Sequence, residues 1–403
     1  MKNTKRALSL LLALVVFAMP LFAVSAGGEG DRLRGDLNGD GKVNPTDYAM
    51  LKRMVLRTYE GTEFQKAGAD VSQDGKVNSI DYAMLKRVVL GTYSFDGSID
   101  IPFYYDIKIT PVDDPNAYIS NGVIISNLRV MENYGGNAES GAATAVKLNN
   151  FKQAVGRDVN VYVLACPLAS AFYAPEKYSG AITRHIETFT ALRDGLKDVV
   201  YVDALGALSL HVDEPIYART DHHWNALGAY YAAQEFARVA KLPFDDISNF
   251  TEYSTGGYLG SLYYHTEDPT IRANPETFTW YEPKRSCEVV YYSVDYLNNP
   301  IYGNTLFAPW GGYIKFIYGD SYTTYIKTDN GTGRKLLMFK DSYGNALAPF
   351  LISSFDEIYI ADFRYFKYGA KKFIADKGIT DVCFSLCAFA VASNARNYID
   401  FVQ

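Results

Sequence analysis

The chain is poor in the residues that build metal centres and disulfide frameworks. Its 403 residues include only five histidines and four cysteines. Cys166, Cys287, Cys383 and Cys387 are irregularly spaced, mostly in apolar runs, and no CxxC pair is present. Buried free thiols are expected from this pattern, with no zinc site implied. There is no HExxH, and the adjacent His222 and His223 would project to opposite sides of an extended segment. Concentrated basic charge is lacking too. The formal net charge is −6, which argues against nucleic-acid binding. Beyond the N-terminus no apolar run is long enough to span a bilayer, so no membrane span is expected in the mature protein.

What the chain does have begins with an export signal. Lys2, Lys5 and Arg6 precede the apolar stretch 7–24, and Val24-Ser25-Ala26 offers small residues for cleavage. Residues 1–26 read as a signal peptide and the mature chain as secreted. Tyrosine is abundant, at 33 residues. Its flat amphipathic ring stacks on sugars but is also ordinary core material.

Between Asp36 and Gly91 the sequence repeats itself. DLNGDGKVNPTDYAMLKRMVLR and DVSQDGKVNSIDYAMLKRVVLG share DGKVN and DYAMLKR. Asp36, Asn38, Asp40, Asn44 and Asp47 fall at positions 1, 3, 5, 9 and 12 of an EF-hand-like loop, as do Asp70, Ser72, Asp74, Asn78 and Asp81. Lys42 and Lys76, at position 7, offer carbonyl oxygens. Ca²⁺ takes six to eight oxygens, and alternate loop residues can converge on one ion. Two Ca²⁺ ions are expected. A helix follows each loop, with Tyr48, Leu51 and Val55 on one stripe and Tyr82, Leu85 and Val89 on the other. No entering helix is evident before either loop.

This pattern closely resembles a type I dockerin of cellulosomes, over residues 31–93. The resemblance implies a small all-α calcium-binding module that docks on a cohesin module of a scaffoldin. It places partner contacts at Pro45, Thr46, Lys52 and Arg53, and at Ser79, Ile80, Lys86 and Arg87. The two faces differ, which leaves cohesin specificity open. A module this small needs the metal as a staple.

After a turn-rich linker at 94–101, residues 102–403 have an α/β texture. β-branched or apolar runs at 159–164, 199–202, 335–339, 357–361 and 381–384 alternate with helical stretches, among them 225–241. A doubly wound, mostly parallel sheet with helices on both faces is expected. Residues 244–325, rich in Tyr, Gly and Asn, read as a loop-rich insertion with a hairpin at most.

Two segments carry chemistry. In Thr220-Asp221-His222-His223-Trp224, an extended backbone would turn Asp221 and His223 to one side, with Trp224 as a pocket wall. In KLLMFKDSYGNALAPFL, a buried strand runs into Ser342 at a strand-to-helix turn. There Gly344 and Asn345 could supply N–H donors to an oxyanion. Gly319-Asp320-Ser321-Tyr322 is a competing serine motif, but the TTYIKT after it is strand-like rather than helical.

The tetrad Asp221 to Trp224, the block Lys340-Asp341-Ser342-Tyr343-Gly344-Asn345 and Asp362-Phe363-Arg364-Tyr365 resemble the DHHW family. Through it they resemble SGNH-type hydrolases and alginate O-acetylation enzymes. The resemblance implies an SGNH-like domain with Ser342 as nucleophile, His223 as base, Asp221 as orienter, and Arg364 as a substrate or oxyanion ligand. The Asp-x-His element precedes the serine, as in the alginate group and unlike ordinary SGNH enzymes. No cofactor is implied for this domain. Together with the dockerin it implies a secreted, scaffold-attached serine esterase acting on acetylated plant-wall polysaccharide. A polysaccharide O-acetyltransferase and a non-catalytic binding component remain alternatives.

Overall fold

The computed structural model describes residues 34–39, 43–72, 75–89, 107, 109–293, 296–303, 305–320 and 322–401. The signal peptide and linker lie outside these residues, as do Asp40, Lys42, Asp74 and the competing Ser321. Contacts divide the chain into two units, up to Ile101 and from Pro102.

In the first unit, Asn44 caps α1 (Pro45–Val55), accepting from Thr46 N–H while Asp47 reaches back to the Asn44 N–H. A second helix, α2 (Glu63–Ala69), runs into Asp70, so the second loop does have an entering helix. The signal for it is local: Thr62 and Gln65 form a reciprocal capping box. α3 (Ser79–Val89) follows that loop. Leu37, Leu51, Ala69, Val71 and Leu85 form the small core. The first residues of the two stripes, Tyr48 and Tyr82, stack with ring centroids 4.6 Å apart.

The second unit opens with a small antiparallel sheet of β1 (Tyr118–Ser120), β2 (Val123–Ser126) and β3 (Arg129–Glu132). The chain then alternates α4 (Ala138–Val155), β4 (Asn160–Cys166), α5 (Gly180–Gly195), β5 (Val200–Val202) and α6 (Ala226–Ala240). Next come β6 (Phe250–Tyr258), α7 (Ser261–Thr266), β7 (Glu276–Pro283), β8 (Glu288–Ser293), β9 (Tyr296–Gly303) and β10 (Tyr322–Lys327). The last elements are β11 (Lys335–Lys340), β12 (Glu357–Asp362), α8 (Ala370–Lys377) and β13 (Asp381–Cys387).

The main sheet runs β5-β4-β13-β11-β12-β10-β8-β9. The pairings from β5 to β12 are parallel, and their strands are almost wholly buried, as a sheet covered on both faces requires. The α/β fold class is therefore as expected. The stretch read as a loop-rich insertion is more ordered than that. β6 and β7 form a separate hairpin, and β8, β9 and β10 extend the main sheet in antiparallel fashion, making it mixed. On β8, Val289 and Tyr291 face the core while Val290 and Tyr292 on the other side are half-buried, so tyrosine stands on both faces and no clean apolar row marks the strand.

Cys166 and Cys383 are buried free thiols; Cys287 and Cys387 are free but only half-buried. Among the described residues no helix is long and apolar enough to cross a membrane.

Candidate active site

Strand β11 delivers Ser342 to the C-terminal edge of the parallel strands, where ligands meet open α/β sheets. Asp341 caps the 3₁₀ turn Ser342–Leu347. Its Oδ1 accepts from Tyr343 N–H at 3.1 Å and its Oδ2 from Cys387 N–H at 2.7 Å. Burial pushes the Asp341 carboxyl up, and those N–H groups pull the other way. The serine is thus fixed from the ends of two strands.

Asp221, His222 and His223 sit in a bend, not an extended segment. Glu276 on β7 holds the bend, accepting from Arg219 N–H at 2.8 Å and from Thr220 N–H at 2.7 Å. His223 Nδ1 lies 2.7 Å from Asp221 Oδ1, and its Nε2 lies 2.8 Å from Ser342 Oγ. A carboxylate can only accept, so Nδ1 carries the proton and Nε2 accepts from the serine hydroxyl. Asp221 also accepts from His223 N–H at 3.0 Å, Tyr258 O–H at 2.7 Å and Ser261 N–H at 3.0 Å. Burial alone would raise the Asp221 carboxyl. The hydrogen bond and charge attraction from His223, aided by His222 and Ser261, outweigh it and hold the group well below the usual carboxylate range.

Several sequence expectations need correction. His222 does not point away: its ring lies 3.7 Å from that of His223, with its Nδ1 2.6 Å from Ser261 Oγ. The bend folds both rings toward Asp221. Burial, then repulsion by His223, lowers His222 to about 4, so it is neutral at pH 7. Asp221, His222 and His223 do bring ligand-type atoms within 4.8 Å of one another. Both nitrogens of His223 are nevertheless engaged, by Asp221 and Ser342. Trp224 is no pocket wall. It is fully buried, and its indole N–H donates to Tyr343 O at 3.0 Å.

Gly344 does not offer its N–H, which donates to Asp341 O at 3.0 Å. Glycine is needed because an added Cβ would lie 2.4 Å from the Lys340 Cβ. The Asn345 amide donates to Asp320 Oδ1 at 2.9 Å. Arg364 is paired with Asp362 and, at 3.2 Å, with Asp320, and the bond to Asp362 raises its already high pKa. Asp320 also receives the buried Lys340 ammonium at 2.6 Å. Lys340, Asp320, Arg364 and Asp362 form one ion cluster, to which the Asn345 amide is bonded.

Sequence reasoning missed Tyr258, Ser261, Tyr313, Glu276 and Asp320. Tyr313 lies flat against His223 and donates to Tyr343 O at 3.0 Å. The one local signal is glycine. At Gly260 an added Cβ would lie 2.4 Å from the Asp221 Cβ, so the close approach of α7 to the carboxylate requires it.

In the first unit, Asp47 and Asp81 are fully buried, and both carboxylates accept loop N–H groups. Asp47 accepts from Leu37, Asn38 and Asn44, and Asp81 from Ser72 and Asn78. Burial pushes Asp81 up and the Asp70 carboxylate adds to this, while the N–H groups of Asn78 and Ser72 offset part of it. An oxygen-only donor set with surplus buried negative charge fits a hard divalent cation. Asp36, Asn38, Asn44 and Asp47 would hold one, and Asp70, Ser72, Asn78 and Asp81 another. Pro45, Thr46, Lys52, Arg53, Ser79 and Lys86 are exposed, and Ile80 is half-buried. The Arg87 side chain lies outside the described residues.

The fold and this constellation define an SGNH-like α/β domain joined to a loop–helix repeat. Residues 195–361 match the DHHW protein family, and residues 34–90 match the type I dockerin domain. A DHHW family protein from Eubacterium siraeum is 38% identical, with a TM-score of 0.66, over 71% of this chain and 97% of that one. The chain belongs to the DHHW family. Bacillus cereus PatB1, solved with a sulfonyl adduct, shares the fold at 19% identity and a TM-score of 0.55, over 70% of this chain and 100% of that one. A glucan endo-1,3-β-D-glucosidase of Acetivibrio thermocellus is 57% identical over 35 residues. This covers 9% of this chain and only 4% of that protein's length. The dockerin match implies calcium binding and a cohesin partner, as in secreted cellulosome components.

Proposed function

We propose that the chain is a secreted serine esterase that removes acyl groups, foremost acetyl, from plant-wall polysaccharide while docked on a scaffoldin. The observation that carries this reading is the continuous chain from Asp221 Oδ1 to His223 Nδ1 (2.7 Å) and from His223 Nε2 to Ser342 Oγ (2.8 Å). Ser342 Oγ attacks the ester carbonyl carbon as Nε2 takes its proton. The carbon–oxygen bond to the sugar breaks, and the sugar hydroxyl leaves with that proton. Water then repeats the sequence, releases acetate and restores the serine. Asp221 holds the imidazole tautomer and stabilises the imidazolium. The N–H groups of Tyr343 and Gly344 are engaged by Asp341, so neither is offered to the developing oxyanion.

Two ions in the loops of residues 36–47 and 70–81 would order the dockerin, with Pro45, Thr46, Lys52, Arg53, Ser79, Ile80, Lys86 and Arg87 facing cohesin. Transfer to a glycan hydroxyl in place of water is the related alternative; residence on a degradative scaffold favours hydrolysis. The test is acetate release from acetylated xylan by wild type and Ser342→Ala. Equal rates would remove the enzyme reading.

A further inference from the structure

The chain has three tryptophans, and they differ in what covers them. Trp224 is fully buried. Trp280 is covered by the Lys315 ammonium, 4.3 Å from its ring, and by the stacked ring of Tyr253. Trp310 is 50% exposed, and its indole N–H has no partner among the described residues. A single exposed apolar side chain is ordinary. What sets Trp310 apart is its anchorage.

Trp310 stands on the loop that positions the catalytic base. Ala308 N–H donates to Lys315 O at 2.7 Å, and Phe307 bridges Phe316, so residues 309–314 form a tip closed at its neck. The Lys315 ammonium ties the same neck by donating to Ala308 O at 3.0 Å. From that tip Tyr313 turns inward onto His223, with ring centroids 3.6 Å apart, and His223 Nε2 lies 2.8 Å from Ser342 Oγ. Trp310 is only three residues from Tyr313, so their Cα atoms are at most about 11 Å apart. An added Cβ at Gly312 would lie 3.0 Å from the Tyr258 ring, whose hydroxyl bonds Asp221. Ser342 is half-buried and the His222 side chain beside His223 is 35% exposed, so the site opens to solvent as the tip does.

The outward indole is held at a backbone cost. Tyr318 packs against it edge-on, with centroids 5.6 Å apart and planes at 89°. Tyr318 and the preceding Ile317 both take positive φ, 58° and 44°. Two successive non-glycine residues in that region, one of them β-branched, are strained, and such strain gathers at functional sites. The neck keeps them there, with Ile317 N–H donating to Leu306 O at 2.8 Å. A flat, anchored indole with an open N–H suits the apolar face of a pyranose, the N–H being left for a sugar hydroxyl.

We propose that Trp310 is a sugar-stacking platform of the Ser342 site, holding a pyranose that flanks the one carrying the scissile ester. This rests on the esterase reading.

The full chain, with calcium, would be assayed as wild type, Trp310→Ala and Trp310→Phe on acetylated xylotriose and on 4-nitrophenyl acetate, an ester with no sugar. Trp310→Ala is expected to raise KM for the trisaccharide about tenfold, with a smaller change in kcat. The ratio of its kcat/KM on the trisaccharide to that on the aryl ester should fall by about the same factor. Trp310→Phe keeps a flat ring and should recover most of that loss. An unchanged trisaccharide KM in Trp310→Ala overturns the platform. So does an equal loss on both esters, the mark of a loop that has merely shifted. If the wild type hydrolyses neither ester, the esterase reading fails. Calorimetric binding of unacetylated xylotriose to wild type and Trp310→Ala then still decides the platform. Turnover of the aryl ester with no binding of xylotriose would overturn the platform and leave the serine chemistry standing. Should Trp310→Ala not fold, wild-type protein treated with N-bromosuccinimide decides: xylotriose should protect Trp310 from oxidation, read by peptide mapping, and absence of protection refutes the contact.

Discussion

The imidazole of His223 lies flat against the phenol of Tyr313, with ring centroids 3.6 Å apart and planes 2° from parallel. The phenol is itself tethered through its hydroxyl to Tyr343 O. The base is therefore clamped on its face, as well as at both nitrogens. Tyr313→Leu should lower kcat about 10- to 100-fold with little change in KM, since a small misplacement of a reacting group is expensive. Tyr313→Phe keeps the stack and should lose far less. Equal kcat in Tyr313→Leu and wild type would remove the clamp from the account.

Asp221 gives a prediction in pH. Its folded pKa lies below the unfolded value, so its stabilisation is present above about pH 4 and is lost as pH falls toward the folded pKa. Asp221→Asn has no such carboxylate. Its stability, followed by urea denaturation, should decline less steeply below about pH 4 than that of wild type. Turnover should fall by roughly 10³-fold or more, because the wrong imidazole tautomer is then favoured. A parallel acid decline in both proteins would contradict the assignment of the low carboxyl to Asp221.

Gly260→Ala places a methyl carbon against Asp221. Overpacking of this kind costs about 1–3 kcal/mol. The displaced carboxylate should also slow turnover at least tenfold. Thermal unfolding and initial rates on the same preparation would show both effects. An unchanged rate would mean that the α7 approach does not set the position of Asp221.

Calcium removal should act on the first unit. EDTA should reduce helical circular dichroism and abolish cohesin binding, because loops with surplus buried carboxylate depend on the ion. Asp81→Ala should weaken cohesin binding in the same assay. Cohesin binding that ignores EDTA would refute the metal dependence.

Much of this was legible in the residues. The loops could be read from spacing because each ligand set is local, within one turn and the start of one helix. Asp221, His223 and Ser342 stood out because the chemistry restricts residue types. The shape of the Asp221 segment was not legible. Glu276 on β7 and Ser261 on α7 pull it into a bend, and nothing within Asp221–Trp224 encodes partners that far along the chain. The same holds for Arg364 and Asn345, which both bond Asp320, a residue seen in the sequence only as part of a competing serine motif. The missed α2 differs, since its capping box was present and only its short length hid it.

Strand β6, which ends in Tyr258 and leads to Gly260, bears on any attempt to shorten the protein. Residues 250–283 resemble a dispensable surface excursion between two sheet-forming regions. Cutting them out would strip the acid partner of Tyr258 and Ser261 and release the Glu276 grip on Arg219 and Thr220. A trimmed version could fold around an intact parallel sheet and still present a serine with a misdirected imidazole.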